Sequence, residues 1–313
     1  MKSPFENSSD NKRYLNYNYF LRNKFGSKVF KVSLNASMTC PNRDGTKGFG
    51  GCSFCSESGS GDFAGCPTDD IATQFDTIRK KMHKKWHEAR YIPYFQAGSN
   101  TYADVNFLKE IYEKAISFPN VVGLSIATRP DCINEEIADL LKNISEKTYL
   151  TVELGLQTIH DKTAELTNRC HSYADFFKGY ELLNSRGINI CVHIINGLPH
   201  ETHEMMLETI REVARLKPHS VKIHLLHIIK GTRLCDEFLQ GGFSEMSLEG
   251  YVKIVCDQLE LLPPEVIIQR VTGDGDKTTL VAPLWSLKKF CVMNEIDKEL
   301  VARNSMQGSK YLK

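Results

Sequence analysis

Two kinds of segment alternate along the chain. Short runs rich in β-branched and aromatic residues read as strands: KVFKVSL at 28–34, YIPYFQA from Tyr91, VVGLSIA from Val121, YLTVELGL from Tyr149, INICVHII from Ile188 and VKIHLLHII at 221–229. Between them apolar residues recur at helical spacing. The first such stretch carries Ile71, Phe75, Ile78, Met82 and Trp86 on one stripe, with Thr68 or Asp69 as its expected cap. Asp104 and Asn134 are positioned to cap the next two helices, Gly187 stops helical segments over 160–186, and a further helix is expected around 205–217. The strands look apolar on both faces, which predicts parallel strands covered on both sides. Repeated βα units closing into a full or partial α/β barrel follow, with a doubly wound sheet as the other arrangement.

The flanks are less regular. The first dozen residues are polar and read as frayed, and Tyr14, Tyr17, Tyr19, Phe20 and Phe25 then lead into the first strand. Beyond Gly241 a long helix ends at Pro263 and Pro264, followed by a strand EVIIQRVTG, a glycine-rich turn and a last helix near 285–304. No break in composition marks an independent unit there, so these elements are expected to cover one end or edge of the barrel. The division expected is an aromatic segment 1–27, a barrel 28–240 and an extension 241–313.

Composition narrows the classes of function. At 313 residues, 41% hydrophobic and 25% charged, the chain has enough apolar surface for one large core and is not disordered at scale. A net charge of +1 excludes a generally basic protein, so a nucleic acid would have to meet a local patch. One candidate is the run Arg79, Lys80, Lys81, His83, Lys84, Lys85, His87 and Arg90, read as the second face of the first helix; a merely solvated face is the plain alternative. No apolar run reaches the roughly 18 residues a membrane span needs, and the N-terminus lacks an apolar signal core. A cytoplasmic protein with no membrane partner is expected, and its ten cysteines then read as reduced thiols or metal ligands.

Three of those cysteines stand together. CPNRDGTKGFGGCSFC spaces Cys40, Cys52 and Cys55 as C-x11-C-x2-C in a glycine-rich loop after the first strand. Thiolates select zinc, copper(I) or iron–sulfur clusters; three of them leave a position open for a small molecule, whereas recruitment of Cys66 would make a closed structural zinc site. Cys132, Cys170, Cys191, Cys235, Cys256 and Cys291 lie singly and read as buried, inert thiols. In a βα architecture the C-terminal strand ends share one rim with that loop. The rim would then collect Gln96, Ala97, Gly98 and Ser99 from the second strand, Thr128 and Arg129 from the third, Glu153 and Gln157 from the fourth, Asn196, Gly197 and Pro199 from the fifth, and His224 and His227 from the sixth. Each residue alone has an ordinary structural explanation; their convergence with three thiols suits a polar, nucleoside-like ligand.

The loop, with Phe54 before its last cysteine, resembles the cluster loop of radical S-adenosylmethionine (radical SAM) enzymes. The usual spacing there is C-x3-C-x2-C; the longer loop is similar to that of the elongator catalytic subunit and of a bacterial group carrying CPNRDGT, GGC-x-FC, FQA, TRPDC, ELGLQT, GLP and KxHLLH, all present here across nearly the whole chain. The resemblance implies a partial (β/α)6 TIM-like barrel with a C-terminal helix and strand extension. It also implies a 4Fe–4S cluster on Cys40, Cys52 and Cys55 and S-adenosylmethionine on the fourth iron. It places Gln96, Ala97, Gly98 and the adjoining Ser99 at the methionine amino group, although the common Gly-Gly-Glu form is missing. Glu153 and Gln157 fall at positions contacting ribose or carboxylate, Arg169 at a carboxylate partner, Ile195, Gly197 and Pro199 at the adenine support, and His224 on the same rim. Reductive cleavage to a 5′-deoxyadenosyl radical that abstracts hydrogen is implied, with a flavodoxin- or ferredoxin-type electron donor. The elongator-like loop points to tRNA, and within it to a carboxymethylaminomethyl-type group on the wobble uridine. A small metabolite such as a porphyrin, and a non-catalytic metal-binding module for RNA or protein, stand as alternatives.

Overall fold

A computed structural model describes residues 3–59, 61 and 63–312. Its first element is a helix: α1 (Tyr17–Phe25) is capped by the Asn16 side chain, which accepts from the Tyr19 amide, and stopped by Gly26 at φ +69°. The aromatic cluster of the N-terminal segment is therefore helical. The βα alternation follows, as β1 (Val29–Leu34), α2 (Ile71–His83), β2 (Arg90–Phe95), α3 (Val105–Ile116), β3 (Gly123–Thr128), α4 (Glu135–Ser145) and β4 (Tyr149–Gln157). Two helices, α5 (Asp161–Leu166) and α6 (Tyr173–Asn184), precede β5 (Asn189–Asn196), α7 (His203–Leu216) and β6 (Ser220–Leu225). Asp104 and Asn134 cap α3 and α4 as expected, whereas α2 is capped by Asp70, because its side chain and not that of Thr68 or Asp69 reaches the Thr73 amide.

The run at 221–229 is not one strand. After β6 the chain turns, and β7 (Ile228–Ile229) pairs antiparallel with β9 (Leu280–Ala282) in a small separate ladder. Between these lie α8 (Arg233–Leu239), α9 (Leu248–Leu261) and β8 (Ile267–Arg270), and α10 (Lys289–Ala302) follows. The strand expected in the covering extension joins the sheet itself: β8 pairs parallel with β6, giving a seven-stranded parallel sheet in the order β1-β2-β3-β4-β5-β6-β8. Strands in sequence order with helices outside make a partial TIM-like barrel.

The two faces of this sheet differ. Outward residues such as Leu34, Ile126, Val152, Leu154, Val192 and Ile223 are fully or almost fully buried against the helices and form the main core. Inward positions include Lys31, Tyr94, Ser125, Glu153, His193 and Lys222 among apolar Val29, Ile92, Cys191 and Ile195, so strands that looked apolar on both faces carry charge on the inner one. A closed barrel packs its interior with apolar side chains; this open one leaves room for a ligand.

Residues at the N-terminus close the seam between the outer strands. Asn16 bridges to Ile268, the Ile268 amide donates to the Leu15 carbonyl (2.8 Å), and the Leu15 amide donates to Gln307 Oε1 (2.8 Å). Phe5 packs with Leu15 and Ile267, and the Ser3 hydroxyl donates to the Lys12 carbonyl (2.7 Å), so the segment expected to fray is tied down over the described residues. Below the strands, Leu21 of α1 packs on Val29 and Ile92 and plugs the N-terminal end of the barrel. No helix among the described residues is long and apolar enough to cross a membrane.

Candidate active site

The loop leaving β1 is shaped by backbone. The Lys47 and Gly48 amides donate to the Pro41 carbonyl (2.8 and 3.2 Å), and the Gly51 amide donates to that of Asn42 (2.8 Å). Buried Asn42 donates to the Asn168 carbonyl (2.6 Å) and to Cys52 Sγ (3.7 Å), while the Asn168 amide group donates back to Gly51 O (2.8 Å). These bonds stitch the loop to the turn between α5 and α6. A second seam joins it to β2: the Gly98 amide donates to Gly59 O and the Ser99 amide to Thr39 O, 3.0 Å each. Gly98 has φ +76°, and a Cβ there would stand 2.2 Å from the Met38 carbonyl oxygen, so only glycine allows this approach.

Cys40, Cys52 and Cys55 consequently line one cleft of about 1390 Å³, and Cys66 does not. Cys66 is exposed beside Thr68, which removes it as a fourth thiol. Burial pushes the Cys52 thiol up to about 12, with Cys55 and Cys40 adding and Arg129 opposing, so metal binding there must displace a proton. Arg129 is the cation beside these thiols, held in a fork on the Asp131 carboxylate (2.9 Å twice) and donating to the Arg169 carbonyl (2.8 Å). Of the single cysteines, Cys191, Cys235 and Cys256 are buried as expected, but Cys291 is exposed, and Cys170 abuts the loop so closely that a Cβ at Gly48 would lie 2.8 Å from its sulfur.

Gln96, Gly98, Ser99, Glu153, Gln157, Arg169, Ile195 and His224 share that cleft; Ala97, Gly197 and Pro199 do not line it. Ala97 is buried behind the surface, and Gly197 turns the chain at φ +86° against Met246. At the end of β4 the strand bulges between Gly155 and Gln157. Gln157 takes φ +60°, a conformation costly for a side chain, which its amide offsets by donating to the Gly155 and Leu156 carbonyls (3.1 and 3.0 Å). Arg169 is 1% exposed and donates to the carbonyls of Leu156, Thr158 (2.8 Å) and His171 (3.1 Å); its buried Nη2 has no hydrogen-bond partner among the described residues and lies 3.9 Å from the Asp161 carboxylate.

Glu153 departs from its expected role. Its carboxylate is fully buried, with Lys31 on Oε1 and Lys222 and His193 (2.8 Å) on Oε2, so protein donors occupy both oxygens that a ribose would use. Burial alone would push this carboxyl up; Lys222, Lys31 and His193 outweigh it and hold it well below the usual range. Burial also pushes His193 down to about 4 and His224 well below its ordinary value, leaving both imidazoles neutral at pH 7. Sequence reasoning missed Lys31, Tyr94, His193 and Lys222. The available signal was charge at inward positions of otherwise apolar strands, where an ion must find a partner.

The basic run lies elsewhere. α2 ends at His83, residues 84–89 form turns, and Arg90 opens β2, its amide donating to Lys28 O (2.9 Å). A helix antiparallel to the strands delivers its C-terminus to the opposite end of the barrel, so the run does not border the thiols. Arg79 and Lys80 are moreover paired with Asp76.

Thiols, a cofactor-sized cleft and strand-end donors on one rim call for comparison with known families. The profile of the radical SAM superfamily matches residues 39–213, and that of the radical SAM C-terminal domain matches 218–302. The chain belongs to the radical SAM superfamily. This radical SAM protein is 50% identical to the protein YtqA of Bacillus subtilis over 309 residues, 99% of this chain and 96% of that one. It is 32% identical to the tRNA uridine(34) acetyltransferase of Methanocaldococcus jannaschii over 164 residues, 51% of this chain and 30% of the relative. The archaeal Elp3 of Methanocaldococcus infernus, with an N-terminal deletion, shares the fold at a TM-score of 0.66 and 20% identity, covering 90% of this chain and 64% of that one. Radical SAM proteins are enzymes that use a 4Fe–4S cluster and S-adenosylmethionine, and the donor set here, three soft thiols on a cleft with Cys66 outside it, fits that pair.

Proposed function

We propose that Cys40, Cys52 and Cys55 hold the 4Fe–4S cluster, leaving the fourth iron to S-adenosylmethionine, and that the enzyme remodels a carboxymethylaminomethyl-type side chain on the wobble uridine of tRNA. The observation carrying the chemistry is the meeting of three thiols and a deep polar cleft on one rim. When bound, the cluster and S-adenosylmethionine supply a radical that takes hydrogen from the substrate, using an electron from a flavodoxin- or ferredoxin-type donor. The chain's residues position and shield. Gln96, Gly98 and Ser99 form the wall meeting the methionine amino group, with Ala97 buried behind it; Gln157 meets the ribose and Arg169 the carboxylate, and Ile195, with the Gly197–Pro199 turn behind it, backs the adenine. His224, between Ile195 and the floor of the cleft, presents a neutral ring to it. Glu153 acts instead as the anchor beneath them.

The substrate reading is supported by the long cluster loop and by the relative that acts on tRNA uridine(34). Its test is mass spectrometry of nucleosides from bulk tRNA with and without the gene. Loss of one modified wobble uridine and accumulation of its precursor is the expected result, and an unchanged nucleoside profile overturns it. Formation of 5′-deoxyadenosine by reconstituted protein without any change in tRNA would move the substrate to a small metabolite.

A further inference from the structure

The floor of the cleft carries more cation than its own anions balance. Two ammonium groups, Lys31 and Lys222, share the single carboxylate of Glu153. Arg270 and Lys289, higher on the same cleft, share the Asp274 carboxylate (2.6 Å each), and His193 and His224 are neutral, so the Lys31–Glu153–Lys222 cluster itself carries one positive charge. The ring of Tyr94 lies between the two ammonium groups, 4.8 Å from Lys31 Nζ and 4.6 Å from Lys222 Nζ, and spreads this charge without cancelling it. An uncompensated charge at this depth is costly, and the floor is built to receive an anion.

Donors are left for it. Lys222 spends one N–H on Glu153 and one on the Tyr94 hydroxyl (3.3 Å); Lys31 spends one on Glu153 and one on Gln269 Oε1 (2.9 Å). An ammonium has three, so each keeps one. The buried Nε2 of His224, whose ring lies tilted 5.1 Å from that of His193, has no partner among the described residues. All of these groups line the cleft that holds the thiols. Glu153, Cys191 and His193 also bring three ligand atoms within 4.8 Å of one another, as a small metal site would, but a metal ion there would face two ammonium groups. The geometry calls for an anion.

We propose that Lys31, Lys222 and His224 form a subsite for a carboxylate group of the substrate. One surplus charge matches one carboxylate, and the depth of the site favours a terminal group over the phosphodiester of a polymer, whose chain would have to thread the barrel. The identity of the acid as the end of a carboxymethylaminomethyl group rests on the tRNA reading above; the subsite itself does not.

The test is calorimetric titration of the reconstituted full-length protein at saturating S-adenosylmethionine with three probes: 5-carboxymethylaminomethyluridine, its carboxamide, and uridine 5′-monophosphate. The acid binds about ten- to a hundred-fold more tightly than the amide, the worth of a charged hydrogen bond, and Lys222→Gln removes that preference. Iron content and melting temperature show whether the variant is folded. Lys31→Gln, which leaves the Lys222–Glu153 pair intact, gives the same answer if Lys222→Gln is not folded. Equal binding of acid and amide overturns the subsite, and tighter binding of the monophosphate than of the acid overturns its assignment to carboxylate. A wild-type protein that prefers the acid while tRNA nucleosides stay unchanged keeps the subsite and rejects the tRNA reading.

Discussion

The rim and the floor of the cleft are built by opposite means. At the rim, backbone does most of the positioning: amides of residues 47, 48 and 51 fold the thiol loop on itself, those of 98 and 99 tie it to the chain after β2, and Gly98 permits an approach no side chain would. At the floor, long side chains from β1, β2, β4, β5, β6 and β8 meet in mid-barrel, and the backbone only sets the register. On the assignments proposed above, the cofactor common to the superfamily falls where geometry is set by main chain, and the substrate's acid group where single substitutions can change it.

Removing a thiol gives the largest effect. Alanine at Cys40, Cys52 or Cys55 abolishes the iron and the brown absorbance of the anaerobically reconstituted protein, whereas Cys66→Ala leaves both intact; normal iron in Cys55→Ala would break the assignment of the rim. The floor comes next. Glu153→Gln strands two buried ammonium groups and costs about 3–5 kcal/mol of stability, read by chemical denaturation. Glu153 has its folded pKa below its unfolded one, so its contribution is complete above the unfolded value near 4.5 and fades as pH falls through the folded value. The difference between wild type and variant is therefore wide at pH 7 and narrows in acid below about 4. A gap that stayed constant down to pH 3 would deny the ion cluster its role. The smallest effect is expected at the other end of the barrel. Reversing charge at Lys81, Lys84 and Lys85 changes stability by less than about 0.5 kcal/mol and leaves the turnover proposed above within about two-fold, since surface charge acts weakly across many ångströms of solvent. A large loss of turnover would put RNA on that end.

The sequence was informative where chemistry is local. C-x11-C-x2-C brings thiols together through one loop, and the βα alternation gave the barrel and the side on which the loop lies. The floor was illegible for two reasons. Lys31 and Glu153 are 122 residues apart, and Lys222 follows Glu153 by 69, so no motif joins them. Their meeting depends on β-register, in which a shift of one residue would send every inward side chain outward. Residues 79–90 misled for a related reason: the hydrophobic stripe continued to Trp86, but the helix stopped at His83 and tertiary context fixed the turn.

The seam between β1 and β8 has a consequence of its own. Elsewhere around the barrel adjacent strands are spaced by main-chain ladders, whose width is the same in every protein. Across the seam the span is bridged by the Lys31 and Gln269 side chains and by the N-terminal segment, whose Asn16 and Leu15 meet Ile268 through main chain. The bore of this vessel is thus set by replaceable staves. Lengthening or shortening those two side chains alters the span at one edge and leaves the ladders among β1 to β6 as they are.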